Sequence, residues 1–146
     1  MSAECIFCAV LAGRAPASLV YEDDEVAAFL DLFPVHAGHT LVVPKLHVPD
    51  LASCPPALAG RLMIVSTALA PAIISATGAS GFNVWTANGR VAGQDVFHLH
   101  LHLLPRHEGD SFGLRFPRGY PREASRDELD AMAAKIRGAI PPAAPE

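Results

Sequence analysis

The chain has 146 residues, of which 51% are hydrophobic and 18% charged, with a formal net charge of −4. That length suits one compact domain with a real core. The acidic balance offers nothing to attract nucleic acid or an anionic membrane surface, so any phosphate recognition has to come from a local site.

The N-terminus, MSAECIFCAV, lacks the basic start and apolar core of a secretion signal, which implies a cytoplasmic protein. Three cysteines, an odd number, do not suggest a disulfide framework. Cys5 and Cys8 are spaced as a metal or redox pair, and Cys54 stands alone.

SLVYEDDEVAAFLDL reads as two short strands around an acidic turn at Asp23 and Asp24, the second over residues 26–30. After the turn of residues 34–38, HTLVVPK is a β-branched, strongly apolar strand ending at Pro44. Residues 62–89 carry no charge, which calls for a membrane test. Leu58, Leu62, Val65, Leu69 and Ile73 fall on one helical stripe, however, so the segment reads as a helix packed on a core, with no membrane partner. Pro71 inside it is expected to kink or split that helix, because its ring removes a donor and clashes with the preceding turn. GFNVWT returns to strand, and VFHLHLHLLP is another. ASRDELDAMAAKIRG is a short helix over about 126–137, with Ser125 and Glu128 as a capping box and Gly138 as its stop. Its buried side is expected at Leu129, Met132, Ala133 and Ile136. Strands, helix, strands, helix in that order indicate an α+β domain around a mostly antiparallel sheet.

FHLHLHLLPR, residues 97–106, holds the strongest chemical signal. On a strand, His98, His100 and His102 share one face while Leu99, Leu101 and Leu103 take the other. Three packed histidines would each need a partner for the second ring nitrogen. Three rings on one straight strand splay too widely to converge comfortably on one tetrahedral ion. The third reading is catalysis, in which a neutral imidazole attacks phosphorus and a neighbouring ring assists. NGRVAGQD, residues 88–95, leads into the row, and its glycines would let backbone N–H groups approach phosphate oxygens. That lead-in favours the catalytic reading.

GQDVFHLHLHLLPR resembles the defining motif of the histidine triad (HIT) superfamily. FLDLFPVHAGHTLVVPKLH resembles that family's ribose-binding strand and turn, and CIFCAVLAGRAPASLVYEDD the N-terminus of its zinc-binding bacterial members. The matches follow one order over residues 5–112. The resemblance implies a HIT fold: a mostly antiparallel five-stranded sheet with one long and one or two short helices, extended across a homodimer. It implies a HIT domain over residues 1–115 and a C-terminal extension over 116–146, belonging to the same structural unit.

The resemblance further implies that His100 is the nucleophile, attacking the α-phosphate of a purine nucleotide to form a nucleotidyl-histidine. His102 would contact the phosphate and the leaving atom. Gly93, Gln94 and Asp95 match the phosphate-contacting loop, Gln94 through its side chain. Asp95 stands where relatives often carry Ser or Thr. Ala87 stands where many carry Asn, for which neighbouring Asn88 would substitute. Asp31 matches the ribose-binding position, a task suited to a carboxylate with only acceptors to offer. Phe7, Phe29 and Leu32 would enclose the base. Cys5, Cys8, His47 and His98 match the ligands of one structural zinc. His39 fits a structural turn, His36 and His107 a surface, and Arg106 has no catalytic role. The implied activity is that of a nucleoside phosphoramidate hydrolase or nucleotidyl transferase. A dinucleoside polyphosphate hydrolase and a non-catalytic nucleotide-binding protein are the alternatives.

Overall fold

The computed structural model describes residues 5–142, which fall into two compact units meeting in sequence at Phe112 and Gly113. The first holds α1 (Ile6–Leu11), β1 (Leu19–Glu22), β2 (Val26–Leu30), β3 (Thr40–Pro44), α2 (Pro56–Thr77), β4 (Gly81–Trp85) and β5 (Leu101–Arg106). The second holds α3 (Arg126–Ala139). The five strands form one antiparallel sheet in the order β1-β2-β3-β5-β4, so the expected α+β, five-stranded architecture is the observed one.

The β1–β2 turn is built on Asp23. Its Oδ1 accepts the N–H groups of Glu25 and Val26, each at 2.8 Å, and its Oδ2 takes Tyr21 Oη–H at 2.6 Å and the Arg61 guanidinium of α2. These donors hold the Asp23 carboxyl well below its usual range, Tyr21 contributing most. β2 and β3 are apolar on both faces because both faces are covered. Val26, Ala28 and Val42 join Leu99, Leu101 and Leu103 under α2, while Ala27, Phe29, Leu41 and Val43 meet Phe7 of α1 on the other side.

α2 begins at a Pro-Pro pair, where the missing N–H groups would be unpaired anyway, and ends at Gly78 in the left-handed conformation (φ +68°). Its stripe of Leu58, Leu62, Val65, Leu69 and Ile73 is buried, 8% exposed at most. By length and composition this helix could span a membrane; here that stripe is part of the core. α2 runs as one helix through Pro71. Packing of residues on both sides of the proline supplies what the lost hydrogen bond removes.

α3 has the expected capping box, Glu128 N–H to Ser125 Oγ at 3.2 Å and Ser125 N–H to Glu128 Oε2 at 2.8 Å. It continues through Gly138 to Ala139. None of its residues is buried, so the stripe of Leu129, Met132 and Ile136 is about half exposed. The apolar period announced a face but not a core to receive it.

One glycine is fixed by close approach. Gly38, at φ +92° in the turn before β3, would bring a Cβ to 2.5 Å from Thr77 Cγ2 at the end of α2. This packing sets where the adjacent His39 enters the sheet.

Candidate active site

The histidine row is less regular than a single strand. β5 begins only at Leu101, because the β3 ladder stops at the Val42–Leu101 pair. Upstream, Leu99 N–H turns to Val48 O at 2.8 Å. The alternation of faces still holds: Leu99, Leu101 and Leu103 are in the α2-side core, and the three rings lie on the other side with Phe7.

Each ring is orientated by a different partner. His98 Nε2 lies 2.8 Å from Pro44 O, a pure acceptor, so Nε2 carries the proton and Nδ1 offers a lone pair. His100 Nδ1 lies 2.7 Å from His98 O, so Nδ1 carries the proton and Nε2 holds the lone pair. His39 Nδ1 accepts Val35 N–H at 3.2 Å, which puts the proton of a neutral His39 on Nε2. That Nε2 sits 2.9 Å from His102 Nδ1, so His102 accepts there and keeps its own proton on Nε2. Burial pushes His39, His98 and His100 below the ordinary histidine value. Burial, with His100 and His39 adding to it, pushes His102 down to about 4. All four rings are therefore neutral at pH 7.

His100 and His102, with ring centroids 4.8 Å apart, open on a cavity of about 970 Å³. Phe7, Phe29, Asp31, Leu32, Gly93 and Asp95 line it as well. Phe7 packs edge-on against Phe29 (5.4 Å), His98 (5.8 Å) and His100 (5.1 Å). Leu32 is 84% exposed at the cavity wall. Asp31 Oδ1 caps Phe33 N–H at 2.9 Å, and its Oδ2 lies 3.6 Å from His39 Nε2.

Two residues expected on phosphate are directed elsewhere. Gln94 is 3% exposed: its Oε1 accepts Gly89 N–H at 2.8 Å, and its Nε2 donates to Pro49 O at 2.6 Å and Val96 O at 3.1 Å. Its side chain is a clamp inside the loop. Asn88 Oδ1 accepts Leu51 N–H at 2.7 Å, which turns its carbonyl oxygen to the backbone after β3. Gly93 holds φ +89°, a conformation that requires glycine, but its N–H is bonded to Arg90 O.

On the other side of Phe7, Cys5 Sγ, Cys8 Sγ, His47 Nδ1 and His98 Nδ1 all lie within 4.8 Å of one another. The Cys5–His98 and Cys8–His98 distances are 3.5 Å, Cys8–His47 is 3.3 Å, and the two Nδ1 atoms are 3.2 Å apart. Ligands on a tetrahedral ion with metal bonds of 2.0–2.3 Å stand roughly 3.3–3.8 Å apart, so these donors fit such an ion. Two sulfurs and two imidazoles are also the donor set that borderline-soft metals prefer, and the His98–Pro44 bond orientates one ligand from behind.

His39, which sequence assigned a structural turn, is thus a member of the site. Its signal lay in pairing: β3 and β5 match Leu41 with His102, which brings His39 beside that ring. His36 is not a free surface group, since its Nε2 lies 3.0 Å from the Asp110 carboxylate. Arg106 is fully engaged by Asp110, Asn83 Oδ1 and Phe112 O, so it holds the turn.

The HIT domain family model matches residues 12–109. The chain is 40% identical over 107 residues to adenylylsulfatase HINT3 of Arabidopsis thaliana, a match covering 73% of this chain and about half (54%) of that protein. A HIT family protein of Bacillus anthracis superposes with a TM-score of 0.88 at 38% identity, covering 95% of this chain and 99% of that one. A Zn-bound histidine triad family protein of Mycobacterium smegmatis gives a TM-score of 0.74 at 37% identity, covering 96% and 100%.

Proposed function

This chain belongs to the HIT domain family, and from that premise we propose that it is a nucleotide hydrolase acting at the α-phosphate through a nucleotidyl-His100 intermediate. The observation that carries the reading is the His100 ring. Its Nδ1–H is bonded to His98 O, and the neutral ring lines the cavity with the Nε2 lone pair uncommitted. His102 presents Nε2–H beside it, a donor for the phosphoryl oxygen on which charge develops.

With a nucleoside phosphoramidate protonated on its nitrogen, His100 Nε2 attacks phosphorus, the P–N bond breaks and a neutral amine leaves. Water then attacks phosphorus, the P–Nε2 bond breaks, His100 returns to neutral imidazole and one proton passes to solvent. The nucleoside monophosphate is released. Phe7 and Phe29 would hold a purine base and Asp31 the ribose hydroxyls. The similarity to an adenylylsulfatase supports an adenosine 5′-phosphosulfate as a second substrate, with sulfate leaving from the same phosphorus.

Cys5, Cys8, His47 and His98 would hold one zinc, whose chemistry is structural: it would tie α1 to the row. The exposed β4 edge, with Phe82 and Val84 outward, supports a homodimer in which two sheets join.

The test uses a fluorogenic adenosine phosphoramidate, adenosine 5′-phosphosulfate and diadenosine polyphosphates, with wild type and His100→Ala. Wild type turns over at least the first, and His100→Ala binds AMP without turnover. Nucleotide binding by wild type with no turnover of any substrate would sink the enzyme reading.

A further inference from the structure

The chain's one tryptophan lies at the site, and the chemistry above does not use it. Trp85 ends β4 and pairs in register with His102 on β5. Cross-strand partners share a face, so indole and imidazole meet directly. Their centroids are 4.4 Å apart and their planes 5° from parallel. The indole also lies 5.7 Å from the His39 ring, so it touches both members of the His39–His102 bond.

The indole is itself supported. Phe112 stacks on it at 6.0 Å, and the Arg106 guanidinium lies 5.1 Å from the Phe112 ring centroid. Arg106 is in turn bonded by both its Nε and Nη2 to Asp110, at 2.7 and 2.8 Å. The sequence from His102 to Arg106 thus returns, through Phe112 and Trp85, to the ring from which it started.

We propose that Trp85 is a positioning residue for His102: its flat face seals the imidazole from water and holds it in the plane and neutral tautomer that the His39 bond requires. A protonated His102 would carry a hydrogen on Nδ1 opposite the Nε2–H of His39, and that bond would break. The charged groups that face His102 do not set its state alone. Asp31 favours the protonated ring and His39 and His100 oppose it, while exclusion of water is the largest influence. Trp85 supplies one wall of that exclusion.

The proposal rests on the hydrolase reading for its kinetic arm, and a spectroscopic arm stands apart from it. Trp85→Ala and Trp85→Phe are compared with wild type by imidazole proton NMR of the ligand-free protein and by kcat and KM on the phosphoramidate from pH 5.5 to 8. In wild type the His102 resonances are shifted upfield by the indole and do not titrate in this range. In Trp85→Ala they lose that shift and titrate at a value raised from about 4 toward the ordinary value of about 6.5. The kcat of Trp85→Ala then falls with acid, by up to about fourfold between pH 8 and pH 6 and up to about tenfold by pH 5.5, with KM within about twofold. Trp85→Phe restores both readouts. Unshifted His102 resonances in wild type would overturn the proposal. So would a Trp85→Ala loss that is equal at every pH and not rescued by Phe. Absence of turnover in wild type would count against the hydrolase reading alone, because the NMR arm still decides this one.

Discussion

His39→Ala removes the one group that decides which nitrogen of His102 carries the proton. His39 is 3% exposed, and its two ring nitrogens face Val35 N–H at 3.2 Å and His102 Nδ1 at 2.9 Å. Without it, His102 either keeps Nε2–H with an orphaned Nδ1, or moves its proton to Nδ1 and turns a lone pair toward the phosphoryl oxygen. The first is disfavoured by about 1–3 kcal/mol, the cost of a buried unpaired polar atom, so the donor tautomer is depleted by that amount in favour of the second. The second removes the donor where charge develops, a loss of about the same size or larger. At about 1.4 kcal/mol per tenfold, kcat should fall roughly 5- to 150-fold. KM should change little, because the cavity walls at Phe7, Phe29 and Gly93 are untouched. A glutamine can place an amide N–H near the lost Nε2, so His39→Gln should recover part of kcat. The assay is steady-state turnover of an adenosine phosphoramidate, with circular dichroism melts to establish that both variants fold. A folded His39→Ala with kcat within twofold of wild type would refute the tautomer argument.

Two further outcomes follow from the same geometry. Cys8→Ser, or chelation, should abolish one-to-one zinc by elemental analysis and lower Tm by about 10 °C, since the loss of a structural metal site is worth several kcal/mol; unchanged zinc and Tm would exclude the cluster as its site. Stability should also fall as pH drops from 6.5 toward 4, because His102 titrates at about 4 in the folded chain and at the ordinary value when unfolded. Between those values the unfolded chain binds the extra proton, so acid favours unfolding. Denaturant melts should show this slope reduced in His102→Gln, and an equal slope in both would show that other groups cause it.

Local chemistry made much of this legible. The α2 stripe follows from its 3.6-residue period, and β3 from a β-branched run ended by Pro44. The four metal-ligand candidates were recognisable because Cys5-x-x-Cys8 is a local signal and the family pattern supplies His47 and His98. What escaped depends on which strand lies beside which. Trp85 looked like any strand residue until β4 was paired with β5, and His39 like a turn residue until β3 was. Gln94 escaped for a similar reason, as its amide is fixed by a carbonyl 45 residues away, at Pro49. Period and composition report a residue's face, whereas these roles depend on its neighbour across the sheet.

Spacing alone would make His98, His100 and His102 equivalent, so their division of labour has to come from the backbone. An imidazole has two nitrogens, and fixing one determines what the other can do. Pro44 O takes the proton of His98 Nε2 and turns Nδ1 toward the two thiols. The carbonyl of His98 takes that of His100 Nδ1 and leaves Nε2 nucleophilic. Val35 N–H acts at one remove, through His39, to give His102 the opposite assignment, with acceptor inward and donor toward the cavity. His98 therefore touches both proposed centres: its ring faces the Cys5, Cys8 and His47 cluster and its carbonyl orientates the ring proposed as nucleophile. Under the proposed function, a shift of that residue on metal loss would act directly on the 2.7 Å bond at His100, which would couple the cluster to the proposed catalytic ring even though it lies outside the cavity.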